Sequence, residues 1–196
     1  MIKRNSFSSG TNVCAIVLFL VFSLAACKEN PASAQQKNNS EKKQKAPATD
    51  LHTAALTGNI NAVKQHIAAG SDLNQKDALG GSSPLITACL FNQKEIAALL
   101  IEAGADINFQ NNDGSTPLHV AAFFCKPEIA KLLLEKKARK DIKNKYGNTA
   151  YETVTAPFET VKTIYEQMKQ MLEPMGVQID LAYIEKTRPL IAKMLQ

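Results

Sequence analysis

Apolar residues recur along this chain at two periods, one short and one long. At the short period, Ile96, Leu99 and Leu100, and again Ile129, Leu132 and Leu133, fall three and four residues apart, the spacing of one helix face. Ahead of these stripes stand briefer apolar blocks built on small residues, Ala88-Cys89 and Ala121-Ala122, with Ala54-Ala55 earlier in the chain. At the long period, the segments beginning at Asp50, Pro84, Pro117 and Ala150 align with one another. A fixed repeat of about 33 residues marks a tandem array in which each unit buries its oily face against the next. Each unit reads as a short helix, a turn and a second helix. Thr49, Ser83 and Thr116 are placed to cap the first helices, with Pro84 and Pro117 at the first helical position, where a missing N–H costs nothing. Gly70 and Gly104 stand where second helices end through a left-handed residue. Asp113-Gly114 and Tyr146-Gly147-Asn148 supply tight-turn chemistry between units.

The third copy, Gly114-Ser115-Thr116-Pro117-Leu118-His119-Val120-Ala121-Ala122, resembles the ankyrin-repeat family, as do Ala69-Gly70-Ser71-Asp72-Leu73-Asn74 and Ala103-Gly104-Ala105-Asp106-Ile107-Asn108. The resemblance implies an all-α fold: an ankyrin-repeat solenoid of stacked helix pairs with β-turn or hairpin loops and a C-terminal helical extension. The copies span about 50–81, 82–114 and 115–147, with 148–173 as a degenerate cap and 174–196 as the extension. At the first copy, Gln65 and His66 replace the apolar pair Leu99-Leu100, which gives that helix a wetter, terminal face. At the other end a longer amphipathic helix runs from Phe158 to about Leu172 and is broken by Pro174-Met175-Gly176. Asp180 then caps a last helix over 181–195, with a kink or restart at Arg188-Pro189. Two readings of the extension stand: it shields the last repeat, or it docks a partner. In the third copy Lys136-Lys137 replaces Ala-Gly, so either Lys137 adopts a left-handed backbone or the loop is remodelled.

The amino terminus changes the picture of where such an array would work. Lys3 and Arg4 precede a twelve-residue apolar run, Val13 to Leu24, too short to span a bilayer but suited to a signal peptide. The run ends in Leu24-Ala25-Ala26-Cys27, similar to the lipobox of bacterial lipoproteins. That resemblance implies removal of residues 1–26 and acylation of Cys27. Lys28 is not the inner-membrane retention signal of that family, so the expected location is a bacterial membrane outside the cytoplasm, on the periplasmic side of the outer membrane if the cell has two. Residues 27–49, the lipidated cysteine and a polar stretch after it, read as a tether, with a reach of roughly 25 Å as a flexible coil.

Charge and chemistry narrow the function by exclusion. The net charge of +5 belongs to the leader and tether; from residue 50 onward, sixteen basic residues face sixteen acidic ones. A neutral domain lacks the footprint of a nucleic-acid binder. No HExxH, GxSxG or glycine-rich phosphate loop occurs, and no catalytic residue, metal site or cofactor is expected. His52 and His119 take the family position whose imidazole bonds the backbone of a neighbouring turn, and His66 has no partner close in sequence. Cys89 and Cys125 lie one repeat and three residues apart, too far for a disulfide between helices spaced 8–10 Å.

By the family resemblance, partners lie along the turn tips and the concave face of the first helices. Carried onto this chain, the candidate binding residues are Leu79, Asn111, Asn112, Lys145 and Tyr146 at the tips, with Phe91 and Phe124 as anchors. One of each pair, such as Leu90 and Phe123, is free to turn inward instead. The expected function is a membrane-anchored, monomeric protein-binding module, a scaffold or regulator of another exported protein. The alternative is an immunity protein that neutralises a toxin acting in the periplasm or at the cell surface.

Overall fold

The structure, a computed structural model, describes residues 45–196, which fall within one compact unit, Glu41–Gln196. Cys27, its leader and the tether as far as residue 44 lie outside the described residues. Three short–long helix pairs come first: α1 (Leu51–Thr57) with α2 (Ile60–Ala69), α3 (Pro84–Leu90) with α4 (Lys94–Glu102), and α5 (Pro117–Phe123) with α6 (Pro127–Glu135). Then follow α7 (Glu152–Thr155), α8 (Phe158–Leu172), a single 3-10 turn (Glu173–Met175) and α9 (Leu181–Leu195). The first helices α1, α3, α5 and α7 lie side by side in single file, as do α2, α4 and α6 behind them. This is the solenoid the repeat period predicts. The loops between pairs close as turns, without strands among the described residues.

The small residues make the close stacking possible. Ala54, Ala55, Ala88, Cys89, Ala121 and Ala122 are buried between neighbouring first helices, while Ile96, Leu100, Ile129 and Leu133 fill the layer between first and second helices. Burial of each such aliphatic side chain stabilises the array by about 1.5–3 kcal/mol.

Capping follows the expected chemistry with one shift. Ser83 Oγ accepts the Ile86 N–H at 3.3 Å and Thr116 Oγ1 the His119 N–H at 3.4 Å. For α1 the cap is Asp50, not Thr49: its Oδ1 accepts the Thr53 N–H at 3.0 Å. Both residue types can cap, and the carboxylate one position later also takes the Thr53 hydroxyl at 2.6 Å. The Thr49 carbonyl instead accepts from His66 Nε2 at 2.7 Å.

His66 thereby departs from the expected wet face. It is buried, and its Nδ1 bonds the Ser71 hydroxyl at 2.9 Å, a partner five residues away. The imidazole faces inward because both ring nitrogens find partners there. Gln65 stays exposed. At the third junction Lys137 takes the left-handed backbone, φ +63°, where Gly70 and Gly104 have +69° and +93°.

Packing around the last pair does not run in chain order. α9, not α8, lies against α6 and α7. It begins beside the α5–α6 turn, where the Cys125 thiol points at the Ile184 carbonyl at 3.8 Å, and ends where Lys140 Nζ donates to the Gln196 carbonyl at 3.0 Å. α9 therefore runs parallel to α6, as a second helix of the stack does. The fourth pair is α7 with α9, and residues 156–180 are an excursion between them that carries α8. At the start of this pair Thr149 and Glu152 cap each other, backbone N–H to carboxylate at 2.7 Å and backbone N–H to hydroxyl at 3.3 Å. No restart occurs at Pro189: α9 is one uninterrupted helix. Glu185 and Pro189 both sit on its exposed side, so the carbonyl that proline leaves without a donor faces water.

One cation anchors this rearrangement. Arg188 is 2 % exposed and makes no salt bridge among the described residues. Its guanidinium donates to the carbonyls of Ala156 (2.8 Å) and Thr153 (3.3 Å), just past and within α7, and to the Tyr165 hydroxyl (2.8 Å). Carbonyls at a helix C-terminus carry partial negative charge, which suits a buried cation.

Candidate functional site: the turn tips and the first-helix edge

The tips are held from inside by a side chain that recurs with the repeat. Asp77 Oδ1 accepts the N–H groups of Leu79 (2.9 Å), Gly80 (2.7 Å) and Gly81 (3.0 Å). Asn111 Oδ1 accepts those of Asp113 and Ser115 at 3.0 and 2.8 Å, and Asn144 Oδ1 those of Tyr146 and Asn148 at 3.0 and 3.1 Å. Such short polar residues bond their own backbone two residues on and so fix a turn. Each tip is then closed by a backbone bond across its base, Asp77 to Ser82, Asn111 to Ser115 and Asn144 to Asn148, and the last two also by a bond from Gly114 to Asn111 and from Gly147 to Asn144. The first tip is one residue longer, through Gly80-Gly81.

Neighbouring tips are also tied to each other. The Asn112 N–H donates to the Gly80 carbonyl and the Lys145 N–H to the Asp113 carbonyl, both at 2.9 Å. Gly81 has φ +64°, and a Cβ there would collide with the Asn112 amide that covers it. At the tip bases, Asn74 Oδ1 accepts the Asp106 N–H and Asn108 Oδ1 the Arg139 N–H, each at 2.8 Å. The ladder ends there, because Asp141 stands at the next position and pairs with Arg139 at 2.6 Å. None of these asparagine and aspartate roles was assigned from the sequence. Their signal was the recurrence of Asp77, Asn111 and Asn144, and of Asn74 and Asn108, at the repeat offset.

Two histidines complete the frame as the resemblance implied. His52 Nε2 meets the Gln75 carbonyl at 2.9 Å, and His119 Nε2 the Asn148 carbonyl at 3.0 Å. His119 Nδ1 accepts the Thr116 N–H at 3.3 Å, which puts the ring proton on Nε2. Burial lowers the His119 pKa below the ordinary histidine value, against a smaller raising effect of the Asn148 carbonyl.

The candidate residues divide into two clusters. Leu79, Asn112, Lys145 and Tyr146 are exposed along the tip edge, Leu79 at 87 % and Tyr146 at 73 %. Asn111 belongs to the same edge, but its carbonyl oxygen is committed to its turn. Phe91 and Phe124 cap the C-terminal ends of α3 and α5. A seven-residue first helix, about 10 Å long, separates them from the tips, so no single strip joins anchors and tips. All four of Leu90, Phe91, Phe123 and Phe124 are half-buried against the core. Phe123 is further engaged by α8: Tyr165 stacks on it with ring centres 4.6 Å apart and donates its hydroxyl to the Phe123 carbonyl at 2.8 Å. Phe124 meets Phe123 edge-on at 5.1 Å. The third-repeat end of the first-helix edge is thus occupied by the chain's own excursion. Burial pushes the Tyr165 hydroxyl up to about 12.

Cys89 and Cys125 are free and buried. Burial raises both thiols, Cys125 to about 11 and Cys89 further still, so neither is a ready nucleophile. No group of three or more histidine, cysteine or acidic side chains that could hold a metal ion occurs among the described residues.

Comparisons with known proteins agree with this geometry. Residues 51–144 match the family model described as ankyrin repeats, three copies. A 63-residue segment is 42 % identical to protein phosphatase 1 regulatory subunit 27 of Homo sapiens and, equally, of Mus musculus, covering 32 % of this chain and 40 % of theirs. A 61-residue segment is 34 % identical to inversin of Gallus gallus, covering 31 % of this chain and 6 % of that protein. The chain thus spans less than half the length of the curated relatives it matches. The tied tips, the buried alanines and the 33-residue period between residues 51 and 144 are those of a three-copy ankyrin-repeat array.

Proposed function

We propose that this chain is a membrane-anchored binding module that scaffolds or regulates another exported protein through its ankyrin surface. The observation that carries the binding role is the tip edge. Its backbone is fixed by paired hydrogen bonds from within each turn and between turns, yet Leu79 and Tyr146 project from it with little packing of their own. A surface ordered before its partner arrives loses little entropy on binding. With α8 lying over Phe123, the seat open to a protein partner is formed by the first two repeats, Leu79 and Asn111-Asn112 at the tips and Phe91 at the helix ends. The name of one relative, a regulatory subunit, accords with a regulatory role.

Anchoring rests on Leu24-Ala25-Ala26-Cys27. Two or three acyl chains on Cys27, at about 0.8 kcal/mol per buried methylene, would hold the protein on the bilayer permanently. Crosslinking and pull-down from intact membranes tests both halves. The wild-type chain is expected in the membrane fraction with lipid mass on Cys27, crosslinked to a protein that Leu79→Ala and Phe91→Ala together release. Unmodified Cys27 would end the anchoring, and a crosslinked partner indifferent to those two substitutions would end the surface assignment. The alternative, an immunity protein, predicts that the captured protein is a secreted toxin.

A further inference from the structure

Overall neutrality conceals a sharp separation of charge. Between residues 136 and 145 stand six basic residues, Lys136, Lys137, Arg139, Lys140, Lys143 and Lys145, against the single acid Asp141, a net +5. The rest of the domain, from residue 50, carries ten basic and fifteen acidic residues, a net −5. All six cations are exposed. The matching stretch of the second repeat, Ala103 to Asn112, holds no basic residue at all, so the solenoid itself does not call for them.

The fold uses only some of these charges. Arg139 pairs with Asp141, Lys136 approaches Glu102 at 3.9 Å, and Lys140 donates to the Gln196 carbonyl. Lys137, Lys143 and Lys145 make no ion pair among the described residues. Lys137 moreover sits at φ +63°, at a position where the two sister loops have glycine. A lysine there strains the backbone, and its ammonium satisfies nothing in return. Strain of this kind, held without structural benefit, points to a use outside the fold.

We propose that the third loop, Lys137 to Tyr146, docks on anionic phospholipid headgroups and so sets how the domain sits on a membrane. Phosphates on a planar surface fit the chemistry of the loop. Four of its five cations are lysines, compact point charges on flexible stems rather than the planar forks that select individual carboxylates. Lys143, Lys145 and Tyr146 project from one tip, and an exposed phenol with an apolar ring and a polar end suits headgroup depth. A planar surface meets mainly this loop, with Asp113 and Glu152 the acids beside it. A folded protein or a nucleic acid that wrapped further would meet the −5 of the remaining faces. The proposal rests on the membrane-facing reading above. It takes Lys145 and Tyr146 from the protein-binding set and leaves Leu79 and Phe91 there.

The test uses the full chain with Cys27→Ala, which lacks the lipobox thiol, in flotation with vesicles of phosphatidylcholine alone or mixed with phosphatidylglycerol. Binding in excess of that to phosphatidylcholine alone is the readout, and the cations of the leader and tether, common to every variant, cancel when variants are compared. Excess binding is expected to weaken with salt. The Lys137→Gln, Lys143→Gln, Lys145→Gln triple variant is expected to lose about fivefold per lysine, on the order of a hundredfold in all, with an unchanged circular dichroism spectrum. Removal of Lys64, Lys131 and Lys186 by the same substitution, away from the loop, is expected to leave it within about threefold. Equal excess binding by wild type and loop variant, no excess at all, or tighter binding of a polyglutamate peptide or duplex DNA than of the anionic vesicles would each overturn the proposal. Lipid mass on Cys27 of the unsubstituted chain is measured separately, so loss of the anchor and loss of the docking loop are told apart.

Discussion

At the scale of single residues, conformation and protonation make two separable demands. Lys137 stands in the left-handed region that costs a residue with a Cβ roughly 1–2 kcal/mol. Lys137→Gly is therefore expected to raise unfolding free energy by about 1 kcal/mol, read as a shift of the denaturant midpoint without a change of slope. An unchanged or lowered midpoint would show that the loop is not strained there. His119 makes the second demand. Its buried ring accepts at Nδ1 and donates at Nε2, so protonation breaks the Thr116 bond, and burial lowers its pKa in the folded state. With the folded value depressed, the ring's contribution to stability is complete above the unfolded value of about 6.5. It is lost as pH falls from there through the folded value. Thermal melts of wild type and His119→Gln are expected to converge as pH drops from about 7 toward 5; a constant difference would mean that the ring does not titrate in that range.

At the scale of helices, the sequence announces the regular pairs and hides the irregular one. Proline at the first helical position, serine or threonine before it and a small pair in the middle locate α3 and α5 closely, because those signals are local. His66 misleads for the opposite reason. A histidine on a terminal helix looks solvent-facing until Thr49 and Ser71, one of them seventeen residues away, are seen to take both ring nitrogens. The order of packing at the last pair was not legible either. Periodicity shows that α8 and α9 are each amphipathic, but not which one completes the stack. That choice is made by Arg188, whose guanidinium joins α9 to the end of α7 and to Tyr165 on α8. Removal of either member leaves the other's buried polar group short of a partner, at about 1–3 kcal/mol. Arg188→Met and Tyr165→Phe are each expected to destabilise by roughly 2 kcal/mol. The double variant should cost about 1 kcal/mol less than their sum, since both remove one shared bond. Strict additivity in urea unfolding would mean that the two helices are held independently of this contact.

At the scale of the whole molecule, an array built from one unit acquires function where its copies stop being alike. The shared parts are the capped first helices, the buried alanines and the asparagine ladder, and these produce a rigid frame whose tips recur at fixed spacing. Each departure from the consensus then falls at a different place along the array. The first tip presents Leu79 to solvent. The excursion between α7 and α9 brings α8 across the first-helix edge at Phe123 and leaves Phe91 uncovered by it. The third loop exchanges neutral positions for lysines, and an acidic one for Arg139, at the cost of a left-handed side-chain-bearing residue. Composition averaged over the domain erases this last feature, which is why neutrality and a strongly basic edge coexist. A solenoid tolerates such differences because each repeat contacts only its neighbours: a loop can change its charge, or a helix pair can take on an insertion, without disturbing the stack two repeats away. The same locality lets the first two repeats and the third loop present surfaces of different character, the one apolar at Leu79 and Phe91, the other cationic.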